Sequence, residues 1–73
     1  MQKAVSEPMT LGQKMKAARR SKRLTQRRLS ELTGVSVPSI TTYERDKNEP
    51  PLSYAVKIAD ALGVSLDYLA RTR

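Results

Sequence analysis

The sequence predicts an all-α fold, and three observations carry that prediction. Apolar residues recur at three- and four-residue spacing, a capping residue stands before most of these runs, and no stretch alternates apolar and polar residues as a half-buried strand would. Five short helices result, packed as one domain. A chain of 73 residues leaves room for no more, and a domain of this size buries only about 60% of the surface its unfolded chain exposes. With no Cys and no His in the chain, disulfides, zinc-finger coordination, thiol nucleophiles and imidazole acid–base chemistry are excluded, so the core must come from helix packing alone.

The elements follow in order. Residues 1–9 are polar and contain Pro8, which predicts a loose N-terminal arm ahead of a domain over 10–70. Thr10 followed by Gln13 has the form of a capping box, and Leu11, Met15 and Ala18 then share a helical face, giving a first helix from about Leu11 to Lys22. Thr25 caps a second helix over about 25–33, with Leu29 and Leu32 facing inward and Gly34 ending it. Ser36 caps a third over about 36–44, with Ile40 and Tyr43 as the buried pair. The breaker-rich stretch DKNEPP is a loop. A fourth helix carries Leu52, Ala55, Ile58, Ala59 and Leu62 on its inner stripe, and Gly63 closes it. Val64 packs, Ser65 caps, and Leu66 to Leu69 form a short fifth helix before a basic tail over 71–73.

Charge narrows the function. The formal net charge is +7, and from Met9 to Ser30 the chain carries Lys14, Lys16, Arg19, Arg20, Lys22, Arg23, Arg27 and Arg28 without one acid. Cations at that density repel one another, and a polyanion such as nucleic acid would offset them. The bland alternative is a solvated helix face that aids solubility. No apolar run is long enough for a membrane span, and the first ten residues hold no hydrophobic signal-peptide core, so the expected location is the cytoplasm. No nucleophile–base pair or metal set can be assembled from the acids present, which argues against an enzyme and against any cofactor.

The segment Leu24 to Pro50, LTQRRLSELTGVSVPSITTYERDKNEP, reads as two short helices joined by a tight turn. Gly34 can take a positive φ at no steric cost and Val35 plugs the angle between the helices, the arrangement of a helix-turn-helix that presents its second helix to the major groove of DNA. An ordinary αα-corner needs the same two residues. The discriminator is the outer face of the third helix, where Val37, Pro38, Ser39, Thr41 and Thr42 are small, uncharged and suited to close approach. Pro38 falls in the first turn, where its missing amide has no intrahelical partner to lose.

The run from Leu24 to Leu69, with LTQ, LTGVS, ITTYER and KIADALGVSLDYL in that order, resembles the helix-turn-helix of the phage repressor and Cro superfamily, the xenobiotic-response-element regulators. The resemblance implies a compact five-helix, lambda-repressor-like fold and a sequence-specific regulator of duplex DNA, of prophage-repressor or controller type. It implies that the third helix meets base edges through Val37, Pro38, Ser39, Thr41 and Thr42. Relatives often carry Gln, Arg or Ser there, so direct readout should be modest, with help from DNA shape. It also implies a phosphate contact by Gln26 and by the loop residues Arg45, Lys47 and Asn48. Arg27 and Arg28 oppose the helix dipole in the first turn, at a cost of about 0.3 to 1 kcal/mol each. That broken local rule points to phosphate binding, the alternative being solvation or pairing with Glu31. Arg19 and Glu44 match a structural ion pair of the family.

A module of this size reads one half-site, so a palindromic operator and a homodimer through Leu66, Tyr68 and Leu69 are expected. The alternative is that Leu66 and Leu69 seal the core and the chain dimerises only on DNA. Two other functions remain open at this level. An antitoxin-like interaction module would expose an apolar patch around Tyr54, Val56 and Tyr68, and a non-specific polyanion binder would show a steep salt dependence without sequence preference. No small-molecule ligand is expected.

Overall fold

A computed structural model describes residues 9–71. The N-terminal arm through residue 8 and the last two residues of the basic tail lie outside the described residues. Five helices form in the expected order, α1 (Leu11–Ser21), α2 (Gln26–Thr33), α3 (Val37–Glu44), α4 (Leu52–Leu62) and α5 (Leu66–Ala70), and there is no strand among the described residues.

Local chemistry sets the boundaries. Thr10 and Gln13 form the reciprocal capping box, Gln13 N donating to Thr10 Oγ1 at 3.1 Å and Thr10 N to Gln13 Oε1 at 2.9 Å. Thr25, Ser36 and Ser65 each accept an amide from the first turn that follows. Gly34 and Gly63 end α2 and α4 in the left-handed region, at φ 79° and 70°. The start of α4 differs in having Pro51 as its cap residue and no side-chain cap bond.

The core is built from Met15, Leu29, Val35, Ile40, Ile58, Leu62 and Leu69, all fully or nearly fully buried. Tyr43, Ala55 and Ala59 complete it, and Leu11, Ala18 and Val64 lie partly buried against it. α1 packs on α3, and α2 on both α3 and α4, with α5 closing against α1 and α4.

Two expected core leucines are not in it. Leu32 is 48% exposed and Leu52 is 70% exposed. On α2 the buried face is centred on Leu29 and Thr33, four residues apart, which leaves Leu32 about 60° from Leu29 on the side away from Thr33, at the edge. Leu52 begins α4 ahead of the buried stripe that starts at Ala55, and it overhangs a shallow apolar groove with Leu11, Pro50, Leu66 and Ala70. Thr33 takes the inner position beside Leu29. Its hydroxyl donates to Leu29 O at 2.8 Å and accepts from Val35 N at 3.1 Å, so this buried polar group is satisfied and braces the turn.

Candidate nucleic-acid interface

The turn between α2 and α3 spans Gly34 to Ser36. Gly34 N donates to Ser30 O at 2.8 Å, closing α2, while fully buried Val35 anchors the start of α3 to the core. Ser36 Oγ accepts from Ser39 N at 3.3 Å, and Pro38 sits within the first turn, where it removes no helix bond. On α3, Ile40, Tyr43 and Glu44 face inward. Pro38 is exposed, and Val37, Ser39, Thr41 and Thr42 are half-buried, so these five residues form the outer face and its flanks. They make a low surface without a bulky or charged side chain.

A chain of side-chain contacts fixes that helix from behind. Arg19 Nε donates to Glu44 Oε2 at 2.7 Å and Arg19 Nη2 to Glu44 Oε1 at 3.0 Å, a bidentate pair whose side chains are only 10% and 3% exposed. Arg19 Nη1 also donates to Leu24 O at 2.8 Å, tying the end of α1 to the approach to α2. Gln26 Nε2 donates to Glu44 Oε1 at 3.1 Å, and Gln26 Oε1 accepts from Thr41 Oγ1 at 2.9 Å. The side-chain amide of Gln26 is therefore engaged inside the protein.

The loop after α3 exposes its cations and turns the carboxylate of Asp46 toward α1. Arg45, Lys47 and Asn48 are exposed. Between them Asp46 adopts φ 60°, a left-handed conformation that aspartate tolerates better than most residues. Its carboxylate turns to the start of α1, where Oδ1 accepts from Gly12 N at 3.0 Å and Oδ2 from Thr10 Oγ1 at 2.6 Å. A carboxylate at a helix N-terminus is favourable, and both oxygens of this one are engaged there. Gly12 makes the approach possible. A Cβ there would lie 2.8 Å from Glu44 O and 2.6 Å from Asp46 Oδ1.

Sequence reading missed Asp46, Gly12 and Thr33. A glycine one position inside a capped helix, where it weakens the helix, was the available signal for close approach of another backbone.

Arg27 and Arg28 flank the N-terminus of α2, both exposed. Each also lies near Glu31, at 3.7 and 3.1 Å. Pairs this exposed are worth at most about 1 kcal/mol and yield readily to a stronger anion.

The fold and the turn match a family model described as helix-turn-helix over residues 15–69. The chain belongs to the XRE-type helix-turn-helix family. It is 40% identical over 58 residues to the immunity repressor protein of Bacillus phage phi105, covering 80% of this chain and 40% of that one. It is 37% identical over 57 residues to an uncharacterized HTH-type transcriptional regulator of Bacillus subtilis (strain 168), 78% of this chain and 49% of the relative. The chain thus spans about half the length of the curated relatives it matches. Among solved structures it is similar to the P22 c2 repressor in complex with synthetic operator 9T, with TM-score 0.81, 31% identity, and 84% and 92% of the two chains covered. It is also similar to the biofilm regulator SinR in complex with DNA, with TM-score 0.80, 27% identity, and 85% and 100% covered.

Within this helix-turn-helix frame one expectation needs correction, and one alternative can be compared with the surface. Leu69 is 1% exposed and belongs to the core, so of the three α5 residues expected to pair with a second copy only Leu66 and Tyr68 reach the surface. The apolar patch that the alternative, an antitoxin-like module, would expose around Tyr54, Val56 and Tyr68 is not drawn together, since Tyr54 and Val56 do not share a face of α4 and Tyr68 lies on α5. Tyr54 packs against the core while Val56, two positions on, points away from it. Tyr68 lies under Lys14, whose Nζ is 4.9 Å from the ring centroid and donates to Tyr68 O at 2.9 Å. No described helix is long and apolar enough to cross a membrane.

Proposed function

We propose that this domain binds duplex DNA sequence-specifically as the reading head of a transcriptional regulator, of repressor type. The observation that carries the reading is the outer face of α3, a low, uncharged surface at the start of a helix held rigid by the buried Arg19–Glu44 pair. α3 enters the major groove with Val37, Pro38, Ser39, Thr41 and Thr42 toward base edges. Methyl and ring carbons of Val37, Pro38 and the threonines suit thymine methyl groups.

Phosphates on one side meet the start of α2, where Gln26 and Arg27 head the helix and Arg27 and Arg28 supply charge. On the other side they meet Arg45, Lys47 and Asn48. These contacts fix register and carry no sequence information directly. The operators named for P22 c2 and the DNA bound by SinR support the same class of partner here, and the phi105 immunity repressor supports the repressor sign.

A half-site reader gains affinity by pairing, so two copies on a palindrome complete the proposal, with exposed Tyr68 and Leu52 and half-buried Leu66 as the apolar side chains on and beside α5. The site lies in the cytoplasm, where such an operator is found.

Selection from a random duplex library, followed by anisotropy titration of the winner and a scrambled duplex at two salt concentrations, tests the proposal. A palindromic site bound at least about 10³-fold more tightly than the scramble is the expected result. Equal binding to both, collapsing together as salt rises, would leave only an electrostatic contact.

A further inference from the structure

Resting on the reading of α3 as the base-reading helix, we propose that Thr41 and Thr42 face DNA as hydrogen-bond acceptors only, so that the half-site carries A·T pairs beneath them. Gln26 is the positioning residue that sets this polarity for Thr41. Direction is forced step by step from the core. Glu44, bound bidentately by Arg19, is a carboxylate and offers only acceptor atoms. Gln26 must therefore turn its Nε2 toward Glu44 Oε1, since the flipped amide would set oxygen against oxygen. Its Oε1 is left facing Thr41 Oγ1 at 2.9 Å. A carbonyl oxygen has no proton, so the single hydroxyl proton of Thr41 goes to Gln26.

Thr42 reaches the same state by a different route. Its Oγ1 lies 2.9 Å from Pro38 O, again an acceptor, and again the threonine must donate. Outward, both residues keep lone pairs and a methyl group. Val37 and Pro38 add no polar side-chain atom. Ser39 is the exception on α3, because its Oγ accepts from Ser36 Oγ at 3.0 Å and its own proton can still be given to a base.

The major-groove edges sort cleanly against such a surface. Guanine presents O6 and N7, both acceptors, and an acceptor placed against them leaves two desolvated lone pairs opposed. Cytosine offers a donor without a methyl group. Only an A·T pair offers the adenine N6 amino donor and the thymine methyl together.

The test uses the duplex selected by the native protein, with single-position analogues. Purine in place of adenine deletes the N6 amino group, and 7-deazaadenine deletes the N7 acceptor. Dissociation constants are compared for native protein, Thr41→Val and Gln26→Met, each first confirmed to be helical by circular dichroism. At one A·T position, deletion of the amino group should weaken the native protein about three- to tenfold and Thr41→Val less than twofold. Deletion of N7 there should affect both equally. In Gln26→Met the freed hydroxyl proton should make N7 deletion cost about threefold.

Coupling of Thr41 to N7 in the native protein, selection of guanine beneath Thr41 or Thr42, or no coupling of Thr41 to any position would overturn the acceptor assignment while leaving DNA reading intact. Failure to select any sequence would overturn both. Should Thr41→Val unfold, Ser39→Ala decides the matter, because it removes the remaining hydroxyl donor on the outer face of α3. In that variant no N7 beneath α3 should matter, and any that does refutes the assignment.

Discussion

Replacing Glu44 with alanine tests the rigidity on which the proposed site depends. The substitution leaves the Arg19 guanidinium buried with its pair gone, and it also strips Gln26 Nε2 of its acceptor. With the two side chains only 10% and 3% exposed, water cannot re-solvate the arginine in place, and breaking a buried pair from one side costs about 3 to 5 kcal/mol. A domain of 73 residues is stable by about 4 to 11 kcal/mol in total, so about a quarter or more of that is lost. One kcal/mol moves the midpoint of a domain this small by about 4 to 8 °C, so a loss of 3 kcal/mol lowers Tm by about 12 to 24 °C. Urea unfolding followed by circular dichroism at two or three temperatures measures it. Arg28→Ala, which breaks the exposed pair with Glu31, is the control and should cost at most about 1 kcal/mol. The double variant Arg19→Met with Glu44→Leu should recover most of the loss, since no unpaired charge is left inside. A Glu44→Ala loss no larger than the control's would refute the view that this pair is sealed from water and that it locks α3.

Gly34→Ala should destabilise by about 1 to 2 kcal/mol through backbone strain alone, because φ is 79° and a Cβ there would meet nothing within 4 Å. Thermal unfolding checks this. Gly12→Ala should cost more, about 1 to 3 kcal/mol by overpacking, with lost amide protection at the start of α1 measured by hydrogen exchange. Arg45→Ala and Lys47→Ala should each weaken binding to selected and scrambled duplexes alike, and each should reduce the slope of log affinity against log salt by about 1 in titrations across salt concentrations. Leu32→Lys should change stability by no more than about 0.5 kcal/mol in urea unfolding, as its side chain lies at the edge of the packed face.

The architecture was largely legible in the sequence because it is written locally. Thr10 with Gln13, Thr25, Ser36 and Ser65 announce helix starts within three residues of where they act, and Gly34 and Gly63 announce the ends. Which leucines are buried was less legible. Periodicity defines a stripe but not its edges: it puts Leu32 inside where Thr33 is buried instead, and it extends the α4 stripe one turn too early, to Leu52, when burial starts at Ala55. The site divides along the same line. The composition of the outer face of α3 could be read directly, whereas the bonds that orient it join residues 15, 18 and 25 positions apart. No local pattern encodes the hand-off from Glu44 through Gln26 to Thr41. The sequence marks Asp46 only as part of a breaker-rich loop, since its partners Thr10 and Gly12 lie 36 and 34 residues away.

The bond from Gly12 N to Asp46 Oδ1 makes one proton a gauge of the loop beside it. That amide exchanges with solvent when the Asp46 carboxylate withdraws, and opening of the turn bearing Arg45 and Lys47 is one way for it to do so. The exchange rate of a single backbone resonance in α1 therefore reports how often the carboxylate beside the cationic rim lets go of α1. An anion that holds the rim closed slows that clock without touching α1 itself.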